Sequence, residues 1–150
     1  MKNRLVILAA ALLVILGVPI APYAQDHAVD VEKSDQLKRK FAISLLRTIN
    51  TAEVVDRTKF GSYSSWQTLL TNHSEYFDQF IAMHRRLLPD AHFADPPEIL
   101  PGWNLRMNIH ADGQGYDVLL RDMTVKKCGY AAVTNENAVI WQSKTIDCEI

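Results

Sequence analysis

Apolar residues recur at three- and four-residue spacing between residues 30 and 59. Leu37, Phe41, Leu45, Ile49 and Ala52 make the stripe, and Leu46 and Val55 widen it. That period places side chains on one face of an α-helix. Asp30 suits the N-cap, Glu32 the first turn, and Gly61 the left-handed stop. Lys38, Arg47, Glu53 and Arg57 fall on the opposite, polar face. The pattern predicts one long amphipathic helix with a single buried side, which needs a sheet or further helices against it. Phe60-Gly61-Ser62-Tyr63 reads as a turn. Ser64 with Gln67 and Asn72 with Glu75 form two capping boxes. The first opens a short helix through Leu70. The second opens a helix carrying Phe77, Phe80, Ile81, His84 and Leu87 on one face.

The segment 89–102 holds Pro89, Pro96, Pro97 and Pro101 and few periodic apolar residues, which predicts an ordered surface loop. Beyond it the period drops to two. Trp103, Leu105, Met107 and Ile109 alternate with Asn104, Arg106, Asn108 and His110. After a turn at Asp112-Gly113-Gln114-Gly115, Tyr116, Val118 and Leu120 alternate with Asp117 and Arg121. A second hairpin runs over 130–134, a turn at Asn135-Glu136-Asn137, and 138–143. Helices that precede antiparallel strands predict an α+β fold. The long N-terminal helix is expected to pack on an antiparallel sheet of about four strands, with extra short helices.

Residues 1–24 obey a different rule. Lys2 and Arg4 precede an uncharged run over 5–21, which ends in Pro22-Tyr23-Ala24. A cationic start, an apolar stretch and a small residue before a polar segment describe a secretory signal peptide. Gly17, Pro19 and Pro22 break the second half of the run, and it is short for a membrane span. The expectation is a single domain over 25–150, exported to the periplasm or secreted. The alternative is an uncleaved N-terminal membrane anchor using residues 5–21.

Without residues 1–24 the chain carries fourteen basic and seventeen acidic side chains, net −3 with His neutral. No basic stripe runs through it, which argues against a nucleic-acid partner. The two cysteines, Cys128 and Cys148, come late in the chain. In an oxidising compartment a lone pair of this kind is expected to form a disulfide.

Two stretches resemble type IV pilins and the pseudopilins of type II secretion. One is ISLLRTINTAEVVDRTKFGSYSSWQTLL over 43–70, a helix that leads to a Phe-Gly turn. The other, 115–141, opens on Gly115-Tyr116 and sets Gly129-Tyr130-Ala131-Ala132 against Ala138-Val139-Ile140-Trp141 across a polar turn. Prepilins have a Gly-Phe or Gly-Met cleavage point and a glutamate five residues into the apolar helix. This chain has no Gly-Phe before its apolar run and no acid between Leu5 and Ala24. The resemblance therefore implies a pilin-like soluble headpiece without the prepilin N-terminal motif.

Candidate chemistry is sparse. His84, Asp90, His92 and Asp95 surround the proline-rich segment, but no His-x₃-His or His-Glu-x-x-His spacing accompanies them. Gly61-Ser62-Tyr63-Ser64-Ser65 lacks the second glycine of a nucleophile elbow, and its serines serve turn and cap. No phosphate-binding glycine loop is present, so neither a cofactor nor a metal is implied, and no residue is singled out as catalytic. Among the dense aromatics, Tyr63 and Trp66 are the candidates for an exposed binding surface. The function expected is that of a non-enzymatic exported protein acting through contacts with a protein partner at the cell envelope. The alternative is a small periplasmic ligand-binding or enzymatic domain that uses the 89–102 segment, with His84 or His92 as its working group.

Overall fold

The computed structural model describes residues 23–86, 88–93, 98–124 and 129–143, with side chains from Lys33 onward. Residues 1–22 of the expected signal segment, Leu87, Asp95, Cys128 and Cys148 lie outside the described residues. The chain divides into two units, 1–35 and 36–150. In the first unit the described backbone, from Tyr23 onward, is helical. Among the described residues no helix is long and apolar enough to cross a membrane.

The described part is α+β, with three helices and an antiparallel five-stranded sheet. The helices are α1 (Tyr23–Phe60), α2 (Trp66–Asn72) and α3 (Ser74–His84). The strands are β1 (Glu98–Leu100), β2 (Trp103–Ile109), β3 (Tyr116–Asp122), β4 (Ala131–Asn135) and β5 (Ile140–Ser143). Their order across the sheet follows the chain, and each neighbouring pair is antiparallel. The strand count exceeds the expected four because β1 lies in the segment read as loop. Three residues are too few to show alternation, and the adjoining prolines hide them. Gly102, at φ +76°, turns β1 into β2, a left-handed conformation that favours glycine.

Within the second unit the apolar stripe of α1 is buried. Phe41, Leu45, Leu46, Ile49 and Ala52 join Trp103, Leu105, Tyr116, Val118 and Leu120 of the sheet in one core. Three positions depart from the expected stripe, and the first is Leu37, which is half-buried and outside the core. Val55 is 37% exposed, whereas Glu53, expected on the polar face, is fully buried. The short helices also start differently. Ser65, not Ser64, caps α2 by accepting a hydrogen bond from the Thr68 N–H. His73, not Asn72, occupies the N-cap of α3, with no side-chain cap bond. Tertiary partners claim both residues: Ser64 N–H donates to Glu53, and Asn72 Nδ2 to Asp56. In the second hairpin Ala138, expected to open the last strand, sits at φ +57° and closes the turn by donating its N–H to Asn135 O.

Leu45 is fully buried and Arg47 exposed. Leu45→Ala is expected to lose about 2–5 kcal/mol in denaturant melts, and Arg47→Ala less than about 0.5 kcal/mol. Equal, mild losses would mean that the buried face of α1 is misassigned. At the turn, Ala138→Gly is expected to gain up to about 1 kcal/mol, because the Cβ strain of a left-handed residue disappears. A loss of stability there would show that the turn tolerates alanine without strain.

Candidate functional site

The aromatic pair expected at the surface divides. Trp66 opens α2 and turns inward, 4% exposed, with its indole N–H donating to Phe93 O at 3.2 Å. Phe77 and Phe93 meet its ring edge-on at 5.4 and 5.7 Å. Tyr63 is half-buried against Tyr116, ring centroids 4.9 Å apart, with the Arg57 guanidinium 5.7 Å over its ring. The two therefore serve the core more than the surface, although Trp66 lines one side of a shallow groove shared with Ser65, Leu105 and Met107.

His84 and His92 are not brought together. His84 is half-buried and stacks on Phe80 at 4.3 Å, with Nδ1 2.8 Å from Phe80 O. His92 is exposed, with Nδ1 3.0 Å from Asp90 O. Both ring nitrogens meet backbone carbonyls rather than a carboxylate or hydroxyl. Among the described residues no three His, Cys, Asp or Glu side chains group as a metal site.

The buried polar cluster at the end of α1 continues the apolar stripe, with Glu53 four residues after Ile49 and Asp56 four after Ala52. Glu53 Oε2 accepts the Ser64 N–H at 2.9 Å, while Oε1 is buried with no hydrogen-bond partner. One turn on, Asp56 Oδ1 lies 2.7 Å from His73 Nε2, and Oδ2 accepts from Asn72 at 3.3 Å. Tyr76 stacks on the His73 ring at 5.4 Å. Burial pushes the Asp56 carboxyl up, but hydrogen bonds from Ser64, His73 and Asn72 outweigh it and hold the pKa below the usual range. Asp56 is thus a charged acceptor, and His73 Nε2 carries the shared proton. Burial lifts Glu53 to about 7, opposed by the Ser64 N–H and reinforced by the Asp56 charge. Both acids are fully buried, so their chemistry is that of joints, which tie the 61–64 turn and the α2–α3 junction to α1.

The surface that sequence reading missed lies on the face of the sheet opposite α1. Arg106, Leu119, Val133 and Trp141 stand in register on four successive strands. Trp103 and Trp66 are buried, whereas Trp141 is 49% exposed at the end of this row. Its only sequence signal is its place in the alternation of β5, out of phase with Ile140, which packs on the core. A half-exposed tryptophan beside two half-buried aliphatic residues is the type of surface that protein contacts use. No known protein family, curated protein or solved structure matches the chain.

Glu53 and Asp56 make stability depend on pH in opposite directions. The lowered Asp56 contributes stability that is lost as pH falls through 3.8 and below. Glu53, raised from 4.5 to about 7, folds without penalty while protonated and loses stability as pH rises between those values. The loss amounts to at most about 3 kcal/mol. Glu53→Gln is expected to abolish that decline, so that variant and wild-type melting curves converge near pH 4.5, separate as pH rises to about 7 and keep a constant gap above it. Curves that stay parallel from about pH 4.5 to about 8 would show that Glu53 is not the titrating group.

Proposed function

We propose that this is an exported, non-enzymatic protein whose pilin-like domain lays a long amphipathic helix on the sheet and acts through protein contacts at the cell envelope. Phe93 carries this reading. It belongs to the described part of the 89–102 segment and packs as core, 7% exposed, against Trp66, Phe77 and Phe80. The histidines that a domain working from that segment would use bond to backbone carbonyls instead. The order of elements, helices then an antiparallel meander, supports the likeness to a pilin headpiece, and the row ending in Trp141 supplies a contact surface.

The proposal includes export by residues 1–24, cleavage near Gln25 and a Cys128–Cys148 disulfide. Support for the bridge comes from register. Ala131 and Ser143 face each other across β4 and β5, with Cys128 three residues before the one and Cys148 five residues after the other.

The exported fraction tests the reading. The mature N-terminus is expected at or near Gln25, denaturing non-reducing titration should find no free thiol, and a photo-crosslinker replacing Trp141 should capture a protein. Intact Met1 in the membrane pellet would make the segment an anchor, and two free thiols would rule out the bridge. A measurable activity lost on His84→Ala or His92→Ala would overturn the non-enzymatic reading.

A further inference from the structure

Three cations of α1 gather where the helix passes the last strand. Arg39, Lys40 and Arg47, with Ile43 between them, line a shallow groove of about 500 Å³ closed by His84 of α3 and Gln142 of β5. The described residues that line it include no carboxylate, and none of the three cations makes an ion pair among the described residues. The rest of the chain gives no reason for such a concentration, since the net charge without residues 1–24 is −3. Arg39 is held in place, its guanidinium 5.2 Å over the Tyr130 ring.

The groove also has a template beside it. β5 is the outermost strand, and among the described residues it pairs with β4 alone. Edge strands are usually guarded by charge, proline or a bulge. The β5 stretch Ile140-Trp141-Gln142 contains neither a charged residue nor a proline. Gln142 points to the core side of the sheet, where its Oε1 accepts the Tyr130 hydroxyl at 2.9 Å. A strand added next to β5 would thus send every second side chain over the groove. Arg47 lies eight positions after Arg39 along the helix, about 12 Å of rise. Alternate side chains of an extended chain are about 7 Å apart. Two or three carboxylates at alternate positions therefore span the three cations.

We propose that the β5 edge and this groove receive an extended acidic segment of a partner protein. The segment pairs its backbone with β5 and sets alternating carboxylates against Arg39, Lys40 and Arg47. This rests on the reading that the protein acts through protein contacts, and names the chemistry of one partner.

The probe is a synthetic peptide Thr-Glu-Val-Glu-Val-Glu-Thr with blocked ends, titrated into the isotopically labelled full chain. Amide shifts are expected at Ile140–Gln142 and along α1 from Arg39 to Arg47, with binding weakened by salt. Affinity should fall at least about tenfold in the double variant Arg39→Ala/Arg47→Ala, whose spectrum should remain that of a folded protein. It should fall as far for the Gln-for-Glu peptide, and for a peptide N-methylated on the amides that face β5. Equal binding of the Gln peptide would overturn the charge argument, and equal binding of the methylated peptide the strand addition. Inorganic phosphate or anionic lipid vesicles giving the same shifts at the same affinity would also overturn the proposal. So would absence of peptide binding. If a crosslinker at Trp141 still captured a protein in that case, the wider reading would survive without this site.

Discussion

The side-chain amide of Asn50 fixes where α1 sits on the sheet. Tyr116 on β3 donates its hydroxyl to Asn50 Oδ1 at 2.8 Å, and Asn50 Nδ2 donates to Thr134 Oγ1 on β4 at 2.9 Å. A threonine hydroxyl has one hydrogen, and here it goes on to Val139 O at 3.0 Å, in the turn before β5. One helix residue thus reads the register of two strands and of the turn leading to the third. All three side chains are buried. Displacing any of them by one residue would leave a buried donor or acceptor unpaired, at about 1–3 kcal/mol. The apolar stripe of Phe41, Leu45, Ile49 and Ala52 holds the helix down but tolerates sliding, because hydrophobic burial is non-directional. The amide chain removes that freedom.

With Asn50 in place, the helix carries Glu53 and Asp56 into position one and two turns further along. They reach the Ser64 N–H and the His73 ring, and so fix the entry to α2 and the joint between α2 and α3. That joint aims Trp66, Phe77 and Phe80 at Phe93. The carboxylates do not contribute equally. Asp56 is surrounded by donors and remains charged at low cost. Glu53 receives one backbone N–H and has an oxygen left over, so at neutral pH it opposes the fold that it helps to orient.

What can be read from the sequence is what repeats. The helical stripe, the 103–121 hairpin and the α+β order follow from periods of three to four and of two, which many residues vote on together. What cannot be read depends on single partners far along the chain. Asn50 meets Tyr116 and Thr134 at separations of 66 and 84 residues. Nothing local distinguishes it from an exposed helix asparagine. Glu53 reads as polar-face by its charge alone: its spacing of four from Ile49 puts it on the buried side, where the Ser64 N–H meets it. The two capping boxes fail for a related reason: Ser64 and Asn72 bind α1 instead of their own helices. Trp66 is the converse case. An aromatic residue near a turn reads as exposed, but Phe93 offers both a carbonyl and a ring to bury it.

The same sheet explains why its surfaces differ in character. Its inner face packs on α1 around the Asn50 hydrogen bonds, with the Trp103 indole N–H buried there without a hydrogen-bond partner. Its outer face is not covered in that way, and the row Arg106, Leu119, Val133 and Trp141 runs across it toward β5. On β5 the alternation of side chains sends Trp141 to the outer face and Gln142 to the cationic groove. Among the described elements, β5 thus joins an apolar row on one side with positive charge on the other. A segment aligned with it would meet both at once, its apolar side chains beside Trp141 and its carboxylates over α1. The edge supplies affinity through backbone pairing. The two faces supply selectivity, because a segment shifted by one residue would present carboxylates to tryptophan and apolar side chains to arginine.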